Sequence, residues 1–438
     1  MPRDDFGNTA LNSRSVSQTN AQQIPQTAAQ TCADPGTSPK PRLAIVASHV
    51  IQYQAPLFRR LAASGEVELT VFYCEAAGGE IYHDRDMKTT LAWDIPLLHG
   101  YHHQTTRNYS PLGSLHGWGL INIGLPWRLI QGHFDAVVFM GWGAVSYWLG
   151  FAACVSRRIP FFLYGDSNEI PPADSLRRRV RDRVLRALFS RAAGFLVSGR
   201  YNADYYRHYG AEENRFFFVP WAIDNDRFES ESRLTSAERL ELRNAYDIAP
   251  DAIVFVFSGK LLPRKGPIDL LNAFADMPSR DRAVLLFVGD GVERHRIEEF
   301  CRVRALKNIR ITGFLNQSIL PKIYGMSDVF VLPSYFDPRA TVVNEAMAAG
   351  LACIVSDRTG PSGDIVKDGE NGFVILAGDT AALASRLNRF VEQPSLARSM
   401  GERSREIIKR WSYREDVDGM VAAARFASSL SPQRSARG

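Results

Sequence analysis

The sequence predicts an α/β protein built from two doubly wound, Rossmann-like parallel sheets that face each other across a cleft. Three observations carry the prediction. From Arg42 onward, short apolar runs recur, each closed by Gly, Ser, Asp or Pro and mostly followed by a longer amphipathic stretch. Such unalternating runs belong to parallel strands covered by helices on both faces. The runs fall into two sets with a change of texture near residue 221. The chain has 438 residues, 45% of them hydrophobic, and a single core stops growing at roughly 250 to 300 residues.

Residues 1–40 are rich in Gln, Ser, Thr, Asn and Ala, show no helix or strand period, and are expected to form a disordered tail. Residues 41–220 form the first domain, with strands at RLAIVAS, VELTVFYC, DAVVFMGW, PFFLYGD and GFLVSG. FFFVPWAIDNDRF and the charged stretch Glu229 to Asn244 then read as a connector and an opening helix. Residues 221–412 form the second domain, with strands at IVFVFSG, AVLLFVG, IRITGF, DVFVLPS and ACIVSD. Ligands of open parallel sheets sit beyond the carboxyl ends of the strands, so two such sheets place a ligand between them. Residues 413–438 carry Val417, Met420, Val421 and Ala424 at helical spacing, a stripe able to return and pack on the first domain, before a fraying SPQRSARG.

Composition excludes several classes. The 52 Lys and Arg against 47 Asp and Glu leave a net charge of +5, too dilute for a dedicated nucleic-acid binder. Cys32, Cys74, Cys154, Cys301 and Cys353 are scattered without a C-x-x-C pair, which fits a reducing compartment. The opening MPRDDFGNTA lacks the basic start and apolar stretch of a secretion signal. The most apolar segment, Trp142 to Val155, is broken by Gly143, Ser146 and Gly150 and is shorter than the roughly 20 residues of a spanning helix. A cytoplasmic protein is expected.

The residues that carry chemistry concentrate in the second domain. In SYFDPRATVVNEAMAAG a loop with Asp337 precedes a helix that begins near Ala340 and carries Glu345 eight positions later. A carboxylate accepts two hydrogen bonds at once, which suits Glu345 to the vicinal hydroxyls of a ribose and Asp337 to those of a hexose. The plain alternative is a helix cap at Asp337 and a solvated or structurally paired Glu345. In SGKLLPRKGPIDLLNAF, Lys260, Arg264 and Lys265 meet the helix opened by Gly266-Pro267, where cations and free N–H groups could neutralise a diphosphate without a metal. The rival there is a solvated basic loop. The segment lacks a P-loop, and VGDGVER has Arg294 where a dinucleotide fingerprint needs a small residue, so it reads as a strand-to-helix turn.

Taken together, the K-x4-KG spacing, the VGDG turn, the ITGF strand, the D-x7-E helix and the D-G-x-N-G-F-V segment resemble a retaining family 4 glycosyltransferase of GT-B fold, of the glycosyl transferases group 1 type. The resemblance covers most of residues 42–415 and is most specific from about 253 to 376. It implies that Lys260 and Lys265 grip the diphosphate of a UDP- or GDP-linked sugar, that Glu345 holds the ribose, and that Asp337 contacts the transferred sugar. Arg339 and Thr341 fall among the donor-binding positions. Asp337 stands where the family usually has Glu, and Arg339 and Ala340 replace a common Phe-Gly pair. The implied reaction moves the sugar to a hydroxyl of a glycan or lipid-linked acceptor with retention, without a metal or other cofactor, in the setting of polysaccharide biosynthesis. Lys265, Asp337 and Asp166 are the catalytic candidates.

On the acceptor side the strand ends offer His49, Gln52, Tyr53 and Gln54, then Trp142 between Gly141 and Gly143, then Asp166, Ser167 and Asn168. Asp166 could orient an acceptor hydroxyl or form an Asx turn, and Trp142 could stack on a sugar or pack in the core. His99, His102 and His103 lack companions at metal-ligand spacing. The run Arg177 to Arg191 places Val180, Val184 and Leu188 on one stripe among arginines. It is expected either to rest on anionic lipid, as a peripheral contact on the cytoplasmic face, or to pack the stripe on the sheet. Two rival functions remain at this point: a non-catalytic GT-B protein that binds a nucleotide-sugar or glycan beside a partner enzyme, and a nucleotide-sugar epimerase.

Overall fold

A computed structural model describes residues 39–75, 81–84, 89–112, 117–167 and 175–430. Within the predicted N-terminal tail, residues 1–38 lie outside the described residues, as does SPQRSARG.

The strands, in chain order, are β1 (Arg42–Ala47), β2 (Glu68–Tyr73), β3 (Ile81–Asp84), β4 (Thr89–Ala92), β5 (His103–Thr105), β6 (Ala136–Phe139), β7 (Phe161–Leu163), β8 (Gly194–Val197), β9 (Phe216–Phe218), β10 (Ile253–Ser258), β11 (Ala283–Val288), β12 (Ile309–Gly313), β13 (Val329–Leu332), β14 (Ala352–Ser356) and β15 (Gly372–Ile375). The first sheet has the order β5-β2-β1-β6-β7-β8-β9 and the second β12-β11-β10-β13-β14-β15; a separate hairpin pairs β3 with β4. Every pairing within the two large sheets is parallel. The fold is GT-B: two α/β lobes with parallel sheets.

All ten apolar runs singled out in the sequence become strands. The reason is visible in β1, where Leu43, Ile45 and Ala47 enter a core shared with the helix Gln54–Ala63 and the C-terminal helix Tyr413–Leu430. Ala44 and Val46 point the other way, into a core shared with the helices Leu125–Gln131, Val145–Arg157 and Leu176–Phe189. With both faces covered, no position is free to be polar. Each fully buried Val, Leu or Ile then contributes about 1.5 to 3 kcal/mol. Three strands of the large sheets lie outside the ten runs. β9 forms inside the predicted connector, β5 is three residues long beside polar neighbours, and β15 begins within the D-G-x-N-G-F-V segment.

The chain passes to the second sheet between Phe218 and Ile253. The C-terminal helix returns to the first lobe, burying Met420, Ala423, Ala424 and Ala427 there. Gly419 permits this approach, because a Cβ at that position would stand 2.0 Å from the carbonyl oxygen of Phe218. On the same helix, Asp416 accepts a hydrogen bond from the Ala222 N–H at 3.0 Å. Burial pushes the Asp416 carboxyl up to about 8.

The lobes touch on both flanks of the cleft. The Ser318 N–H and hydroxyl both donate to Asp94, and Trp93 meets Phe314 edge-on at 6.0 Å. Opposite them, Asp364 accepts from the backbone N–H of Arg200 at 2.7 Å.

Candidate functional site

Two glycines shape the loops at the carboxyl end of the second sheet. The Gly259 N–H donates to the Val288 carbonyl and the Leu261 N–H to that of Asp290, both at 2.9 Å. A Cβ on Gly289 would lie 2.0 Å from the Gly259 oxygen, and one on Gly291 would lie 2.5 Å from the Leu261 oxygen. These contacts fix the backbone around half-buried Lys260. The chain then makes a short turn, Pro263–Lys265, and enters the helix Pro267–Asp276.

Lys265 and Asp337 form an ion pair, with both side chains largely buried. The other Asp337 oxygen accepts from the Ala340 N–H at 3.1 Å. Asp337 thus braces the turn before the helix Thr341–Ala348, close to the capping role of the plain alternative, and it also faces the basic loop. Ala340 itself has φ 43°, in the left-handed region that disfavours a Cβ. Ala340→Gly is therefore expected to stabilise the protein by up to about 1 kcal/mol, read as a raised midpoint in urea unfolding.

Glu345 is wholly buried, which rules out the solvated alternative. One carboxylate oxygen accepts from the Tyr324 hydroxyl at 3.0 Å, and the other finds no hydrogen-bond partner among the described residues. Burial raises its carboxyl to about 7, against the hydrogen bonds that oppose the shift. Tyr53 reaches Glu345 from the first lobe. Burial, and then the nearby carboxylate, push its phenol up, while Thr341 and Gln52 sit beside its hydroxyl. The Tyr413 hydroxyl holds the Tyr53 carbonyl at 3.0 Å. No spacing in the sequence points to Tyr324, since it lies on a different helix, Leu320–Met326.

A cleft of about 640 Å³ opens between the lobes. The first lobe contributes His49, Gln54, Trp142, Tyr147, Asp166 and Ser167, and the second Arg264, Asp337 and Arg339. His49 Nδ1 is 2.9 Å from the Ser48 hydroxyl. Gln52 is not among the lining residues, and Asn168 lies outside the described residues. Trp142 faces the cleft, yet its ring also stacks on Tyr205, 6.0 Å away, and meets Phe189 edge-on. Gly165 leaves room for it, since a Cβ there would be 2.4 Å from the ring. Asp166 makes an ion pair with Arg339 at 3.1 Å across the cleft. Arg339, expected among the donor-binding positions, thus reaches toward the first lobe. Its guanidinium lies 4.1 Å over Trp221, which stacks on Tyr164 at 4.0 Å.

Two of the three histidines are engaged elsewhere. His102 Nδ1 is 3.4 Å from the Thr70 hydroxyl, and His103 packs beside Tyr73 and Tyr101. Among the described residues no group of three or more His, Cys, Asp or Glu side chains is placed to hold a metal ion, and no helix is long and apolar enough to cross a membrane.

Residues 238–407 match the family model of glycosyl transferases group 1. The D-inositol 3-phosphate glycosyltransferase of Geodermatophilus obscurus is 30% identical over 227 residues, 49% of this chain and 48% of that protein. The alpha-D-kanosaminyltransferase of Streptomyces kanamyceticus is 27% identical over 182 residues, 41% and 46% of the two chains. The chain spans about half the length of the curated relatives it matches. The structure of Anabaena HepE, solved with UDP and glucose, superposes with a TM-score of 0.66 at 16% identity, over 90% of this chain and 100% of that one.

Proposed function

We propose that the protein is a glycosyltransferase that moves a sugar from a UDP- or GDP-linked donor to a hydroxyl of a glycan or lipid-linked acceptor, with retention of anomeric configuration. The observation that carries this reading is Glu345. A buried carboxylate with one oxygen unpartnered among the described residues, at the carboxyl end of a parallel sheet, is poised to accept hydroxyl hydrogen bonds such as those of a ribose. Matching relatives are named as glycosyltransferases, and HepE was solved with UDP. Lys260 and Lys265 would neutralise the departing diphosphate, the term that dominates when a leaving group carries the developing charge, and would do so without a metal. On that reading, Lys265 exchanges Asp337 for phosphate oxygens as the donor enters, which frees Asp337 to accept from a hydroxyl of the transferred sugar. In a front-face route the departing phosphate oxygen accepts the acceptor proton while the new bond forms on the same side.

Purified protein incubated with UDP-, GDP- and ADP-sugars tests the proposal. Nucleotide release that depends on an added acceptor supports transfer. Binding without turnover for every donor would replace it with a non-catalytic role, and an altered sugar still attached to nucleotide would make the protein an epimerase.

The same reading includes a peripheral membrane contact. Leu185, Leu188 and Phe189 bury the second half of the helix Leu176–Phe189, but Leu176, Val180 and Val184 are 76%, 51% and 42% exposed. Only the Leu188 end of the predicted stripe packs on the sheet. The rest lies among Arg177, Arg179, Arg181 and Arg183, a pattern suited to an interface of anionic headgroups. Flotation with phosphatidylglycerol-rich vesicles should capture the protein and neutral phosphatidylcholine vesicles should not. Val180→Asp with Val184→Asp should reduce capture by about 10-fold; unchanged capture would count against this surface.

A further inference from the structure

The Arg339–Asp166 pair is unlike the Lys265–Asp337 pair of the same cleft. Lys265 and Asp337 are both largely buried, whereas the Asp166 side chain is 47% exposed and, among the described residues, is held by Arg339. Its partner is fixed much more firmly. The Arg339 guanidinium lies on the Trp221 ring, which is itself stacked on Tyr164, so the plane of the fork is set by a column of rings. Arg339 Nε is buried and has no hydrogen-bond partner among the described residues, while one terminal nitrogen holds Asp166. A guanidinium binds a planar acid most strongly through Nε and a terminal nitrogen together, and the bond to Asp166 uses only part of that capacity. The strand-end backbone that leads from Tyr164 to Asp166 joins the two parts of the device.

We propose that Arg339 is a specificity residue that reads an acidic group, carboxylate or phosphate, on the acceptor. The acid satisfies the orphaned Nε–H and displaces Asp166, an exposed and therefore exchangeable partner. Asp166, released but still in the cleft, then accepts a hydrogen bond from the acceptor hydroxyl. A neutral acceptor leaves Asp166 tied to Arg339. The placing of this acid in the acceptor rests on the glycosyl-transfer reading above; the anion preference itself does not.

Titration calorimetry of the full chain with glucose, glucuronate, glucose 6-phosphate and inorganic phosphate tests it, with and without saturating UDP or GDP. At least one of the two charged sugars should bind about 10-fold more tightly than glucose, and which one does so separates a carboxylate from a phosphate. Arg339→Gln should bring the ratio close to one. Arg339→Lys should restore it only in part, because an ammonium cannot present two parallel N–H groups. Asp166→Asn should act in the opposite direction and tighten the charged sugar, since the competing carboxylate is gone. This opposed pair keeps the result readable even if one variant folds poorly. Equal affinities, no binding of either charged sugar, a preference that survives Arg339→Gln, or inorganic phosphate binding as tightly as the sugar phosphate would each overturn the proposal. Loss of nucleotide binding alone would instead remove the donor reading and leave this one standing.

Discussion

In the Lys265→Ala variant, acceptor-dependent release of nucleotide falls by about 100-fold or more, the scale of losing one preorganised donor to a developing negative charge. The position explains the size. Lys265 closes the short turn that follows β10, immediately before the helix Pro267–Asp276, so its ammonium and the first N–H groups of that helix act on the same region. The Asp337 carboxylate keeps the ammonium in place and largely shielded from water before a donor arrives. Most of the loss should appear in kcat, because charge on the diphosphate grows as the glycosidic bond breaks. Lys265→Arg keeps the charge but spreads it over a planar fork, so it should recover only part of the rate. The alanine variant should still fold, because Asp337 retains the Ala340 N–H as a partner. Rates of nucleotide release equal to the unmodified protein would remove Lys265 from the mechanism.

What the sequence makes legible, and what it hides, follows from the range of the interactions. The ten apolar runs announce themselves because covering both faces of a parallel sheet leaves a continuous local signal, as in Leu43 to Ala47. β9, Phe216 to Phe218, is no shorter than β7, but it lies where the two sets of runs join and so reads as part of the connector. The D-x7-E spacing brings Asp337 and Glu345 to notice because one loop and one helix connect them. Their surroundings are a different matter. Tyr53 beside Glu345, and Asp166 against Arg339, join residues from opposite lobes, so no local period or motif records the contact. The exposed Val180 and buried Leu188 differ for a related reason. The helical stripe is continuous, but the supporting core ends partway along it, at Leu185. Periodicity locates an apolar face and is silent about how far the neighbouring body extends.

Glu345→Gln should separate stability from function, moving them in opposite directions. The folded protein holds this carboxyl at about 7, above its ordinary value of 4.5, because burial penalises the charged form. Below the ordinary value both the folded and unfolded chains are protonated, and the folded state has its full advantage. As the pH rises, the unfolded chain gives up the proton while the folded chain retains it, so stability falls until the folded carboxyl ionises near 7 and is level above that. Glutamine removes this slope. Its amide oxygen still accepts from the Tyr324 hydroxyl, and the variant should gain on the order of 2 kcal/mol at pH 8 and little at pH 4. Asp416, also raised by burial, contributes a slope of the same sign in both proteins, so the difference between the two unfolding curves isolates Glu345. Nucleotide affinity should go the other way, weakening by about 10-fold or more, since a neutral amide offers one accepting oxygen where a carboxylate offers two, and hydrogen bonds to a charged group are the stronger ones. Urea unfolding at the two pH values and calorimetric titration with UDP and GDP read the two effects independently. A variant less stable at pH 8 would mean that the buried carboxylate is a structural anchor, and undiminished nucleotide affinity would remove it from the donor site.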